Sequence, residues 1–332
     1  MREFLGKEEV SGSIPDNGSS SNKPKALSAI GAPDPSDEAL IDRFLSEKRY
    51  LENVSEATLE IYQYSFKAFH GAMGSIEAVK ARIIELRKAG LRKAGLSACS
   101  VNTYLRHVKC FYLWQGKEWK LPWLKEEQKV LATFSKAQVG ALIHWKPAGG
   151  CGGGGAMGAE SRLKTLALTA VDTGLRIDEL LSLERRNVSF ENLTLLVRGK
   201  GGKERFVPFS IELRKVMFMH LTGRASRDMG GHELVFCTAG GLRLSQRNVL
   251  RDFKLVCKRL GIQGVRASFH TLRHTMAVSY LRAGGNLFYL SRILGHSSLI
   301  TTQRYLQSLG VEDLSAVHSK FSPLSPLSNP RR

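Results

Sequence analysis

The chain has 332 residues, 42% of them hydrophobic, and a formal net charge of +19. That is room for about two domains with real cores, and it excludes wholesale disorder. The charge excess points to a polyanion partner, nucleic acid first.

No apolar run approaches the ~18 residues of a membrane span, so no membrane partner is expected. The first twenty residues lack the apolar core of a secretory signal. Five scattered cysteines (Cys99, Cys110, Cys151, Cys237, Cys257) without a CxxC pair argue against a disulfide framework or a cysteine-rich zinc module. The expectation is a cytoplasmic, nucleoid-associated protein.

In chain order, residues 1–35 are rich in Ser, Gly, Pro and Asn and read as a disordered tail. They hold four basic and five acidic side chains, so the positive excess lies in residues 36–332. A helix starts at Ser36 and Asp37, with Leu40, Ile41, Phe44 and Leu45 at helical spacing. Further helices fit Ser55–His70, residues 75–90 and Ser100–Gln115, the last with Val101, Tyr104, Leu105, Val108, Phe111 and Tyr112 recurring. Four helices without a strand signal predict a small all-α domain over 36–124. Inside it, Leu86-Arg-Lys-Ala-Gly90 is followed by an identical Leu91-Arg-Lys-Ala-Gly95, which reads as a tandem duplication in a surface loop.

A linker spans 125–134, and a second domain spans 135–322. A helix begins near Ser135. The glycine run from Pro147 to Gly155 lacks the GKS/T ending of a phosphate loop and reads as a flexible surface loop. Residues 161–172 are helical, Thr173-Gly174-Leu175-Arg176 is a turn, and Ile177–Leu183 resumes a helix. Leu193–Arg198 and Arg205–Phe209 are strand-like and joined through Gly199-Lys200-Gly201-Gly202, a hairpin signal. Helices follow near 211–222, 245–260, 271–283, 286–294, 298–308 and 311–321. Residues 323–332 form an extended Ser/Pro tail.

Four segments carry candidate chemistry: Thr173-Gly-Leu-Arg-Ile-Asp-Glu-Leu180, Gly199-Lys-Gly-Gly-Lys-Glu-Arg205, His270-Thr-Leu-Arg-His274 and Leu294-Gly-His-Ser-Ser298. A tyrosine follows in Thr301-Thr-Gln-Arg-Tyr-Leu306. Each alone has an ordinary explanation: a solvated arginine, a hairpin lysine, an interhelix hydrogen bond, a helix cap, a core phenol. Together they suit phosphoryl transfer to a protein nucleophile. Charge spreads over the nonbridging oxygens in the transition state, and two planar guanidiniums, Arg176 and Arg273, can clamp it. A phenol must lose its proton as it attacks, and a nearby histidine can take it. A lysine on a hairpin can protonate the departing oxygen. No carboxylate cluster suited to a catalytic Mg²⁺ is evident, so neither metal nor cofactor is expected.

In this combination and order the residues resemble the tyrosine recombinase (phage-integrase-like) family, nearest the Xer-type and integrase members. Arg176 to Lys200 spans 24 residues, Arg273 to His296 spans 23, and His296 to Tyr305 spans 9. The resemblance implies that Tyr305 attacks the scissile phosphate, forms a 3′-phosphotyrosyl bond and frees a 5′-hydroxyl. It implies that Arg176 and Arg273 hold the nonbridging oxygens and that Lys200 is the general acid. His270 then assists proton movement at the tyrosine, His296 hydrogen-bonds the phosphate, and Glu179 steadies the site. The bond energy stays in the ester, so no ATP is needed.

Ser97–Arg106 and Phe111–Trp114 are similar to the last helix of the family's SAM-like core-binding domain. The implied fold is mostly α, in two domains: a SAM-like core-binding domain and an α+β catalytic domain with a small antiparallel sheet, closing as a clamp around DNA. Candidate duplex contacts are Arg106, Lys109, Arg243, Arg247 and Arg251, with Lys254, Lys258 and Arg259 nearby. The implied partners are double-stranded DNA and a homo- or hetero-tetramer on paired sites, with residues 311–321 docking on a neighbouring copy. Integration, excision or resolution would result, with a mobile element favoured. Two rivals are a type IB topoisomerase-like enzyme with the same chemistry and a non-catalytic DNA-binding accessory protein.

Overall fold

The computed structural model describes residues 35–88, 95–127, 132–147, 158–199, 202–225 and 233–322. The expected tails (1–34 and 323–332), most of the tandem copy, the glycine run from residue 148 and Lys200 lie outside the described residues. The described residues divide into two compact units, one up to residue 127 and one from residue 132. They are mostly helical, with one small antiparallel sheet. No helix among them is long and apolar enough to cross a membrane.

The first unit is all helix: α1 (Pro35–Tyr50), α2 (Glu56–Ala68), α3 (Ile76–Lys88) and α4 (Ala98–Trp114). α4 starts where Ser97 accepts a hydrogen bond from the Ser100 amide at 3.1 Å, an N-cap. Its Val101, Leu105, Val108, Phe111 and Tyr112 form a buried stripe at i, i+4, i+7 spacing. Phe44 is the centre of this core: the rings of Tyr62, Phe66, Phe111 and Trp114 lie edge-on to it at 5.3–5.8 Å. Such pairs add about 1 kcal/mol each beyond area burial. Buried Asn102 holds the segment leaving α4 by donating to the Leu124 carbonyl (2.9 Å) and accepting from the Leu124 amide (3.0 Å).

The second unit opens with α5 (Lys136–His144), started by a reciprocal capping box between Ser135 and Gln138. α6 (Ala159–Thr173) runs through the core. Its buried Thr165, Thr169 and Thr173 satisfy their hydroxyls on carbonyls four residues back, so none of the three is stranded. α7 (Ile177–Leu181) follows, then strands β1 (Val188–Ser189), β2 (Thr194–Arg198) and β3 (Glu204–Pro208) in the order β1-β2-β3. In the β2–β3 register Thr194 faces Pro208 and Arg198 faces Glu204. The chain continues through α8 (Ile211–Ala225), α9 (Gln246–Arg259), α10 (Phe269–Arg282), α11 (Leu287–Leu294), α12 (Leu299–Gln303) and α13 (Val311–Phe321).

Two departures from the sequence expectation have physical reasons. β1 is two residues long, too short for a visible alternation. The helix expected over 298–308 stops at Gln303, and a 3-10 turn covers Leu306–Ser308. Arg304 and Tyr305 keep right-handed helical backbone, and the bonds tighten to three-residue spacing from Tyr305 on, the 3-10 form common at helix ends. α13 packs against α10 of its own unit, where Arg282 pairs with Asp313 at 3.1 Å. Its Val311 and Leu314 remain 80% and 56% exposed.

Candidate active site

α6 ends at Gly174, whose φ of +68° is the left-handed conformation that a glycine adopts without strain. Leu175 then enters the core and Arg176 begins α7. Glu179, one turn on and 6% exposed, binds back. It accepts from the Arg176 amide at 2.9 Å and from the Arg176 guanidinium at 3.1 Å. It also accepts both terminal nitrogens of Arg205, on β3, at 2.9 Å each. Burial raises the Glu179 pKa, but the hydrogen bonds and charges of Arg205 and Arg176 outweigh it and hold the carboxyl below its ordinary value. Arg205 also donates from Nε to the Ile293 carbonyl at 2.9 Å, joining β3 to α11.

Arg273, on α10, is 3% exposed. It donates to the carbonyls of Gly174 (2.7 Å) and Leu294 (2.8 Å) and to His296 Nε2 (2.9 Å). Burial, then the charge of Arg176, lowers its pKa to about 10, so it stays cationic at neutral pH. His296 follows the left-handed Gly295 that ends α11. Its Nε2 accepts from Arg273, so the neutral ring carries its proton on Nδ1 and donates to Thr302 Oγ1 at 2.8 Å. Burial, then Arg273, pushes its pKa down to about 3.

Tyr305 sits in the gap between α12 and the 3-10 turn and is 4% exposed. Its ring is stacked on His296, with centroids 6.3 Å apart and planes 13° apart. Its hydroxyl lies 3.3 Å from His274 Nδ1. Burial raises the phenol pKa more than Arg273 lowers it.

Of the residues singled out from sequence, Arg176, Glu179, Arg273, His296 and Tyr305 therefore come together. His270 lies one turn before His274 on α10, its ring 6.3 Å from that of His274. Lys200 is outside the described residues, between Arg198 and Glu204, which pair at 2.7 Å. Sequence reasoning missed two residues of the site. Arg205 carried a readable signal, since it shares the inward face of β3 with buried Val207 and an inward charge needs a partner. His274 ends one of the four chemistry-bearing segments, but nothing in spacing tells which of two histidines faces the phenol.

The basic candidates lie elsewhere. On α9, Val249, Phe253, Val256 and Cys257 are buried. Arg247, Arg251, Lys254 and Lys258 line the exposed face at i, i+4, i+7, i+11. Arg251 pairs with its neighbour Asp252 at 3.0 Å, Arg259 is taken bidentately by Glu160, and Arg243 is 3.6 Å from Asp178. On α4, Arg106 is exposed and the Lys109 ammonium lies 5.7 Å over the Trp123 ring. Among the described residues no cluster of three or more His, Cys, Asp or Glu is arranged to hold a metal ion.

Residues 155–310 match the phage integrase family. A tyrosine recombinase XerC of Chromobacterium violaceum is 28% identical over 292 residues, 83% of this chain and 94% of the relative. A tyrosine recombinase XerD of Vibrio cholerae is 32% identical over 166 residues, 49% of this chain and 55% of the relative. A XerC of Chlamydia trachomatis is 36% identical over 135 residues, 40% of this chain and 42% of the relative, so the last two matches span about half of those relatives. Among solved structures, the Tn1549 transposon integrase with transposon right end DNA shares the fold, with a TM-score of 0.65 and 17% identity over 85% of this chain and 99% of that one. XerH recombinase bound to its difH substrate does so with a TM-score of 0.63 and 17% identity over 85% of this chain and 83% of that one.

Proposed function

We propose that the chain is a tyrosine recombinase of the phage integrase kind, which cuts and rejoins double-stranded DNA at specific sites through a covalent bond to Tyr305; the family match over residues 155–310 and the XerC and XerD relatives support this reading. The observation that carries the reading is the convergence of Arg176, Glu179, Arg273 and His296 on one buried phenol. The XerC and XerD relatives are recombinases, which favours neither a relaxing topoisomerase nor a non-catalytic accessory protein.

In this reading Arg176 and Arg273 bind the two nonbridging oxygens, and their charges grow in worth as the phosphorane-like transition state gathers negative charge. Glu179 and Arg205 fix Arg176 before DNA arrives, so little reorganisation is needed. An arriving phosphate competes with His296 for Arg273 Nη2. Its negative charge also raises the imidazole pKa, so His296 gains the proton with which it donates to an oxygen. Lys200 protonates the leaving 5′-oxygen. The 3′-phosphotyrosyl ester keeps the bond energy, and the 5′-hydroxyl of a partner strand reverses the attack. The exposed cations of α9 and α4, Arg106, Lys109, Arg243, Arg247 and Arg251 among them, grip the duplex backbone. Four copies on two paired sites complete an exchange that integrates, excises or resolves DNA within the nucleoid.

The test is to trap the covalent intermediate. Wild type and Tyr305→Phe are expressed, lysed in denaturing detergent and pulled down, and any attached DNA is sequenced. DNA on wild type alone, ending at one short motif, is the expected result and yields the target site. Attached DNA with random ends would replace recombination by relaxation, and adduct on Tyr305→Phe would remove Tyr305 as the nucleophile.

A further inference from the structure

Tyr305 needs a proton acceptor on the protein side of the phosphate; Arg273 and His274 both reach its hydroxyl, and of the two His274 can accept a proton. α10 supplies both sides of the reacting atom: Arg273 reaches the carbonyls of Gly174 and Leu294, while the next residue turns to Tyr305. We propose that His274 is a catalytic residue, the base that takes the Tyr305 proton on cleavage and returns it on rejoining. This rests on Tyr305 being the nucleophile. As the Tyr305 Oη–P bond forms, the hydroxyl proton passes to His274 Nδ1. The P–O5′ bond breaks, and O5′ takes a proton from Lys200. In the reverse direction the same proton goes back from His274 to Oη as the ester is released.

The surroundings suit the role. His270 and Arg273 face His274 from its own helix, and Arg304 and Tyr305 face it from the segment packed against α10. Burial, then His270, holds the His274 pKa at about 4, so the ring is neutral at neutral pH and, with its proton on Nε2, accepts from the Tyr305 hydroxyl at Nδ1. A base that weak cannot ionise the phenol beforehand. It accepts the proton only while Oη bonds to phosphorus and the phenol becomes strongly acidic, when the phosphate has also offset the charges of Arg273 and Arg304. Proton transfer is thereby tied to bond formation, and the phenol remains protonated until then. His270, with its ring edge-on to His274, then buttresses the imidazole or passes the proton outward instead of meeting the phenol itself.

The test uses the full chain on a nicked suicide duplex bearing the site recovered with the trapped adduct. Single-turnover adduct formation is followed for wild type, His274→Ala, His274→Gln, Lys200→Ala and Tyr305→Phe. Each substrate is made with oxygen or with sulfur at the bridging 5′ position; sulfur leaves without a proton. The expected result is a loss of about 10²-fold or more for both His274 variants with duplex affinity unchanged. Sulfur should rescue Lys200→Ala and leave both His274 variants slow, and added imidazole should partly restore His274→Ala. Gln can bond the phenol but cannot take its proton, so a wild-type rate for His274→Gln would reduce His274 to a positioning residue. Rescue of the His274 variants by sulfur, or a wild-type rate for His274→Ala, would overturn the proposal. Matching melting curves for Ala and Gln exclude misfolding as the cause, and an adduct on Tyr305→Phe would sink the underlying reading separately.

Discussion

Glu179 takes hydrogen bonds from two guanidiniums and a backbone amide in a nearly dry position, so its loss strands the Arg205 charge. Glu179→Ala should destabilise the second unit by about 3 kcal/mol in denaturant melts, with Glu179→Gln costing less. Both should slow adduct formation, because Arg176 loses its anchor. The depressed histidines His274 and His296 add a pH dependence. Folded, they stay neutral down to about 4 and about 3; unfolded, they bind protons near the ordinary 6.5. The unfolded state therefore binds more protons between those values, and stability falls as pH drops below about 6.5. Thermal melts should give a midpoint roughly 5 °C lower at pH 5 than at pH 7.5, after discounting for partial exposure. A flat profile would mean that these rings are solvated. At this scale the convergence of Arg176, Arg273 and Tyr305 was legible in the sequence, because each stands in a short polar segment set off from the apolar helices around it. Which of His270 and His274 meets the phenol was opaque, because it depends on the packing of α10 and not on spacing.

Gly174 serves two elements at once: its left-handed backbone ends α6 and its carbonyl holds Arg273. A Cβ there would sit 2.8 Å from Leu294 Cδ2 and 3.1 Å from Met276 Sδ. Gly174→Ala should cost about 2 kcal/mol in a denaturant melt, from backbone strain plus that overlap. It should also slow cleavage beyond the stability loss, since Arg273 must shift with the carbonyl. α9 is the element that tests duplex binding. Arg247→Ala with Arg251→Ala should weaken binding to any sequence and reduce the log–log salt slope by about 2, measured by titration at several salt concentrations. The helical stripes of α4 and α9 were readable from spacing because each buries one face. The change at Gln303 was not, because a tightening from α to 3-10 bonding leaves no mark on hydrophobic spacing.

For the whole molecule, the compositional reading of two domains with charge on folded elements matches two units that each own a core. α13 seated on α10 of its own unit by an exposed ion pair predicts that the free protein is monomeric, measurable by light scattering. The 3-10 turn after Tyr305 has a kinetic consequence. Its bonds run from the amides of Tyr305, Ser308 and Leu309 to carbonyls three residues back, a short ladder beside a five-residue helix. Opening it would draw Tyr305 and Leu309 out of the cluster they share with Val278, Leu281 and Leu290, and would part the phenol from His274. The closed turn is therefore the state from which Tyr305 would react, and its opening sets how often the nucleophile is withdrawn. Amide exchange at Tyr305, Ser308 and Leu309, compared with that in α10, would time the withdrawal directly.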